Sequence, residues 1–269
     1  EEENKLEFND SDKIGQFFQE RILKFYDFLH PESITRIKEV FNTYKASEHN
    51  YNFISFNYTQ ALDKCLGKIP NRKINLRKVG NITYTDTVGK IIHVHGLCNQ
   101  FPLMGLNDGE QIKNSELAND RRFSKYLIKP SLNKENRMGN ATNAVKIIDA
   151  SRIICIYGMS LGETDLLWWN KVISWLKGAT DRQLIIFEHD DDFSRTSQFG
   201  WGMKMDSLID KFQLFNKNNG IKVESLRERI HLSLDDIFAY PLIEKVDKTT
   251  KIYIGKEEPS NAKEGDIWV

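Results

Sequence analysis

The sequence predicts an α/β protein built on an open, mostly parallel sheet with helices on both faces and an added N-terminal helical hairpin. Three observations predict it. Short apolar runs alternate along the chain with segments of helical periodicity, the pattern that gives parallel strands joined by right-handed crossovers. The stretch Ile153-Ile154-Cys155-Ile156-Tyr157 is apolar without alternation, as a strand covered on both faces must be. The 269 residues are 40% hydrophobic and 11% aromatic, enough to fill such a core and too much for a disordered chain.

Taken in order, Ser11 to Leu29 places Ile14, Phe17, Phe18, Ile22, Phe25 and Leu29 at helical spacing behind an Asp10/Ser11 cap. A second helix follows from Pro31, a residue suited to the first turn, to Tyr44. The pair makes a helical hairpin over residues 1–48. Residues 49–245 carry the α/β core. Asn52 to Phe56 reads as a strand, Thr59 to Leu66 as a helix, and Lys90 to His95 as a strand closed by Gly96. Arg152 to Tyr157 is the next strand, Asp165 to Leu176 an amphipathic helix, Gln183 to Phe187 a strand, and Met205 to Phe215 a helix. Residues 246–269 read as a polar tail or small hairpin.

The 38 basic and 38 acidic residues cancel, which speaks against a general nucleic-acid binder, since displacing phosphate counterions takes an excess of Lys and Arg. The zero nevertheless hides two basic connections, Lys64 to Lys78 and Arg121 to Arg137, six cations in each. They are either solvated loop surface or an electrostatic funnel for a phosphate-bearing ligand. No apolar stretch approaches the roughly 20 residues of a membrane span. Three scattered cysteines without a CxxC pair suit a reducing cytoplasm.

In an open α/β sheet, ligands bind at the carboxyl ends of the strands. Three such ends carry polar residues: Ser55-Phe56-Asn57-Tyr58-Thr59, His93-Val94-His95-Gly96, and Tyr157-Gly158-Met159-Ser160-Leu161-Gly162-Glu163-Thr164-Asp165. A fourth strand ends at Glu188-His189. Gly158 to Gly162 matches the G-x-S-x-G nucleophile elbow, with Asp190 to Asp192 and His231 to complete a triad; a serine hydrolase using Ser160 is therefore an alternative function. The single clear strand between Ser160 and His231 leaves little room for it. His93 and His95, two apart on a strand, would share a face and could ligate a metal with His189 or Asp165. The simpler expectation is that one histidine is packed beneath the site while the other acts.

Read together, the Asn57, His95-Gly96 and Gly158-to-Asp165 segments resemble the bacteriophage abortive-infection AbiH family across roughly residues 10–245. That family in turn resembles sirtuin-like, Rossmann-like NAD-binding domains. The resemblance implies NAD, or a related nucleotide, as substrate or ligand. It gives Asn57 the ordering of the nicotinamide ribose and attacking water, and His95 the role of general base on a ribose hydroxyl, for which an imidazole titrating near neutrality is suited. Gly158 and Ser160 would approach the phosphates or the adenosine ribose, Asp165 would stand at the head of the following helix, and Glu188 would meet the adenosine end. Tyr58, Thr59 and Gly96 complete the pocket, Tyr58 replacing the Asp of the Asn-Asp pair of sirtuin-like domains. The implied role is cytoplasmic phage defence, with cleavage of the nicotinamide–ribose bond, a phage-derived trigger and self-association. A non-catalytic sensor or scaffold with a vestigial pocket is a second alternative. AbiH proteins usually open with a strand and a Gly-Asn-Gly-Phe-Asp segment. Here residues 1–60 hold only Gly15, and the chain starts at Glu1, so that segment is expected to have been left out or lost.

Overall fold

A computed structural model describes residues 11–100, 102–103, 105–106, 112, 114–129, 139–159, 162, 165–188, 198–216, 219–235, 237–238, 252–253 and 267–268. Residues 1–237 and 238–269 form two units. In the second, Ile252–Tyr253 and Ile267–Trp268 pair in parallel.

The first unit is mixed α/β, and its strands correct the expectation of one continuous sheet. They form two sheets of three. In the first, β1 (Asn50–Ser55) runs parallel to β3 (Ile82–His93), and β2 (Lys73–Val79) runs antiparallel to β3 on its other side. The antiparallel strand comes from the basic connection that the sequence left as loop. Gly80 turns with φ 61°, the left-handed conformation that a tight hairpin turn requires and glycine supplies at no steric cost. Arg77 of β2 then closes on Asp86 of β3 with two bonds, Nε to Oδ2 at 2.7 Å and Nη2 to Oδ1 at 2.8 Å. The basic residue that suggested solvated surface thus ties the hairpin to a buried carboxylate.

The second sheet is wholly parallel, in the order β4 (Ile153–Tyr157), β5 (Gln183–Phe187), β6 (Ile230–Ser233). All five residues of β5 are buried. On one face, Leu184, Ile186, Ile230 and Leu232 pack beneath Trp169, Val172, Ile173 and Leu176 of α7 (Leu166–Lys177) and Met205, Leu208 and Phe212 of α8 (Gln198–Phe215). On the other, the Ser233 hydroxyl donates to the Phe28 carbonyl at 3.1 Å, so the N-terminal elements cover that side. β1 and β4 are not hydrogen-bonded to each other. Ile54 of β1 bridges them through its side chain, packing both on the large core and on the small cluster of Ile92, Val94 and Ala144.

At the N-terminus, α1 (Ser11–Leu23) stops short of the expected Leu29, and a 3₁₀ turn, Phe25–Phe28, leads into α2 (Pro31–Thr43). Phe25 and Tyr26 pack on Phe41 of α2. α1 itself lies on α3 (Ala61–Gly67) and β2. Gly15 makes this possible, because a Cβ there would overlap the Lys68 carbonyl oxygen. Among the described residues, three further helices that periodicity did not mark lie between β3 and β4: α4 (Ser115–Asn119), α5 (Arg121–Leu127) and α6 (Asn140–Ala150). Among the described residues, no helix is long and apolar enough to cross a membrane.

Candidate functional site

The site is assembled at the carboxyl ends of β1 and β3. β1 ends at Ser55, whose hydroxyl accepts from the Asn57 amide at 3.2 Å and so folds the chain out of the strand. Phe56, Asn57, Tyr58 and Thr59 follow in irregular conformation. β3 ends at His93. Val94 still donates to the Ser55 carbonyl at 2.9 Å, but the Gly96 amide turns back to the His93 carbonyl at 3.2 Å, with Gly96 in the left-handed region at φ 74°. His95 therefore lies beyond the strand, within this turn. The expectation that His93 and His95 share one strand face is corrected, and the two histidines have separate surroundings. Among the described residues, no group of three His, Cys, Asp or Glu side chains could hold a metal ion.

His93 is held on both sides of its ring: Nε2 lies 2.8 Å from Asp63 Oδ2 and Nδ1 lies 3.2 Å from the Asn57 carbonyl. Its own carbonyl accepts from Asn140 Nδ2 at 3.0 Å. This histidine fixes the Asn57 loop. Asn57 keeps its backbone engaged, while its exposed carboxamide makes no hydrogen bond among the described residues.

His95 is 6% exposed and sits in an aromatic cluster. Tyr58 stacks on it with centroids 6.0 Å apart, and Phe56 meets it edge-on at 5.6 Å. Phe56 in turn meets Trp168 edge-on at 5.2 Å, which makes Trp168 the floor of the cluster rather than a face open to stacking. The Tyr58 hydroxyl donates to the Leu103 carbonyl at 2.8 Å, and the Leu103 amide donates to the His95 carbonyl at 2.7 Å. Both ends of the Tyr58–His95 pair are thereby anchored to one short segment. The buried His95 Nδ1 has no hydrogen-bond partner among the described residues. Burial, with the nearby Lys129 charge as the lesser cause, pulls the His95 pKa from 6.5 down to about 4. The ring is neutral at physiological pH.

Lys129 is the site residue that reading by motifs missed. It belongs to the basic Arg121-to-Arg137 run, and the pairing of Leu106 with Ile128, supported by the Lys129 amide donating to the Leu106 carbonyl at 2.8 Å, fixes it beside His95. Burial lowers its pKa, and the Asp165 carboxylate acts in the opposite sense. Lys129 thus lies in electrostatic reach of both His95 and Asp165, two residues that the sequence assigned to one pocket. The run of basic residues leading toward strand ends was the available signal.

Asp165 immediately precedes α7 but its side chain caps no amide there. The loop before it is held from below by Trp169 Nε1 donating to the Gly162 carbonyl at 3.2 Å. Gly158 follows β4 in the left-handed region at φ 62°. Glu188 follows β5, its amide donating to the Ser233 carbonyl at 2.9 Å. Thr59 is exposed, and Gly96 is buried. Ring and electrostatic contacts bring Tyr58, His95, Lys129 and Asp165 together. Thr59, Gly158 and Glu188 stand at the expected strand ends, and among the described residues no side-chain contact joins them to that group. Ser160, Glu163, Thr164, His189 and Asp190 to Asp192 lie outside the described residues.

His231, the histidine of the hydrolase alternative, is elsewhere. It is buried in β6 with Nε2 2.8 Å from Gln183 Oε1, at the amino-terminal start of β5. Burial, followed by the Arg36 charge, pulls its pKa to about 4. It packs inside the sheet and is turned away from the carboxyl ends where a nucleophile after β4 would act.

A family model described as Bacteriophage abortive infection AbiH matches residues 1–187. The match spans more than half of the chain, which belongs to this family. No curated protein and no solved structure matches it.

Proposed function

We propose that this member of the AbiH family acts in abortive infection by binding NAD or a related nucleotide at the His95 pocket and hydrolysing the nicotinamide–ribose bond. The observation that carries the reading is the buried, neutral His95, stacked on Tyr58, with an unpartnered Nδ1 and a cation beside it. Buried polar atoms are nearly always paired, and at a strand-end pocket an unpaired one is a place for a ligand to complete the bonding. A ribose hydroxyl both donates and accepts, so it satisfies Nδ1 whichever tautomer the ring adopts. Lys129 supplies charge for a phosphate oxygen and discourages protonation of the ring. As a base, a ring titrating near 4 is weak. A bound phosphate that offsets the Lys129 charge raises that pKa and improves the match to neutral pH.

In the proposed reaction, water ordered by the Asn57 carboxamide attacks the ribose carbon as its bond to nicotinamide breaks. A C–O bond replaces the C–N bond, nicotinamide leaves, and the proton of the water is released. Asp165 holds Lys129 in place.

The test is calorimetric titration of the full chain with NAD, together with chromatographic assay of nicotinamide release. Binding weakened about tenfold or more in His95→Ala, and release lost in Asn57→Ala with binding retained, would support the reading. Turnover unchanged in both variants would remove these residues from the mechanism. Binding without turnover in the native chain would favour the sensor over the enzyme. The hydrolase alternative is not carried forward, because His231 is committed to Gln183.

A further inference from the structure

A cavity of about 450 Å³ has a lining that shares no residue with the His95 cluster. It is lined by Asp63 of α3, Arg72, Gly89 to Ile92 of β3, and Asn143 of α6. Its volume falls within the range of about 300–1,000 Å³ that small-molecule sites occupy. Three features of its wall are unlike a casual surface groove.

The first is the placement of Arg72. Asn71 and Arg72 both adopt left-handed backbone, at φ 52° and 55°, a conformation disfavoured for non-glycine residues. The Arg72 side chain is then fixed by Nε donating to the Val88 carbonyl at 3.2 Å and by Nη2 donating to the Gly89 carbonyl. Those partners are neutral carbonyls, so the guanidinium is oriented while it has no ion-pair partner among the described residues. The second is Lys90, whose exposed ammonium has no hydrogen-bond or ion-pair partner among the described residues, although its backbone amide is held by Asn52 Oδ1 at 2.9 Å. The third is the pair Asp63 and Asn143. Asp63 gives Oδ2 to His93 at 2.8 Å and retains Oδ1, and the Asn143 carboxamide makes no hydrogen bond among the described residues.

We propose that this cavity binds a phosphomonoester of a hydroxylated molecule, such as a sugar phosphate or a nucleoside monophosphate. Two cations in its lining, one of them a pre-oriented guanidinium whose planar fork can donate to two oxygens at once, match the charge and the acceptor oxygens of a terminal phosphate. A carboxylate oxygen of Asp63 and the Asn143 amide in the same lining accept from and donate to hydroxyl groups. The Asp63–His93 contact adds a consequence. His93 also holds the Asn57 carbonyl, so a ligand that draws on Asp63 acts on the loop at the edge of the first site.

The test is isothermal titration of the full chain with ribose 5-phosphate, with inorganic phosphate, ribose and adenosine 5′-monophosphate as separate arms. Ribose 5-phosphate should bind saturably and more tightly than inorganic phosphate, and ribose should not bind. Tighter binding of the adenosine monophosphate that is weakened in Lys90→Gln and kept in His95→Ala would assign the nucleotide as the ligand, and tighter binding of ribose 5-phosphate would assign the sugar phosphate. Removing a charge-assisted contact by Lys90→Gln should weaken binding about tenfold or more. Lys90 is exposed, so this variant should fold normally, whereas Arg72→Gln also breaks two structural bonds. His95→Ala should leave the affinity unchanged. No binding of ribose 5-phosphate, an unaltered affinity in Lys90→Gln, or a loss confined to His95→Ala would overturn the proposal. The last result would place the phosphate in the first site.

Discussion

Replacing His95 by Phe tests whether the ring is held neutral inside the protein. In the fold, its pKa lies near 4, against 6.5 for a free histidine. Between those values, acidification protonates the unfolded chain and not the folded one, so the unfolded state binds more protons and stability falls as the pH drops. From pH 7 to pH 5 this amounts to about 2 kcal/mol for this one group, and the full displacement is worth about 3 kcal/mol at lower pH. Phenylalanine keeps the aromatic contacts with Phe56 and Tyr58 and has no titration. It also removes a buried nitrogen without a partner, an arrangement that costs about 1–3 kcal/mol. His95→Phe should therefore be at least as stable as the native chain at pH 7 and gain about 2 kcal/mol more on it at pH 5. Urea unfolding at the two pH values, followed by tryptophan fluorescence, measures this. Trp168, Trp169, Trp175 and Trp201 all lie in the unit that holds the site. Other titrating groups contribute equally to both proteins and cancel in the comparison. Parallel pH profiles for the two proteins would refute the burial argument, and with it the reason for regarding His95 as kept for function at the expense of stability.

Three further outcomes follow from the same geometry. Gly15→Ala should lower the melting temperature, because overpacking against the Lys68 backbone costs about 1–3 kcal/mol and outweighs the helix-propensity gain of about 1 kcal/mol; an unchanged or higher value in calorimetry would count against the close approach of α1 to α3. Asp86→Asn should destabilise by about 3–5 kcal/mol, since it leaves Arg77 inside the protein without its counter-charge. Glu228→Gln, which removes the exposed partner of Arg36, should cost less than about 1 kcal/mol, and equal costs for the two would show that the Arg77 pair is solvated. His231→Gln should flatten the acid limb of stability in the same sense as His95→Phe, because burial depresses its pKa to about 4 as well; it should leave NAD binding untouched, and a loss of binding would return His231 to the site.

The parts of this fold legible in the sequence are those set by local pattern. The strand Gln183–Phe187 is found at the residues its apolar run marks, and α7 begins one residue after the Asp165 start. What pattern hides is long-range compensation. Arg77 sits in a run of cations that reads as solvent-facing, and only its pairing with Asp86, across a hairpin, explains why the run contains a strand. The helix Asn140–Ala150 begins after Gly139 without a side-chain cap, so no start signal announces it. The site shows the same division. Motif and strand-end reasoning proposes Asn57, His95 and Asp165, whereas Lys129 comes within electrostatic reach of His95 and Asp165 through the pairing of two distant segments at Leu106 and Ile128, which no spacing encodes.

His93 and His95 show how one turn sets two chemistries. Adjacent on a continuous strand, they would share a face and compete for one ligand set. Gly96 ends the ladder after Val94, and this sends His95 into an apolar, cation-flanked cluster while His93 stays on the strand facing a carboxylate and a carbonyl. His93 therefore has both ring nitrogens engaged and positions the Asn57 loop. Burial keeps His95 as the neutral ring, and its Nδ1 is without a partner among the described residues. The formal neutrality of the chain, with 38 charges of each sign, has the same character. It is the sum of local fields, and Lys129 within the site supplies the positive one that a phosphate-bearing ligand would meet.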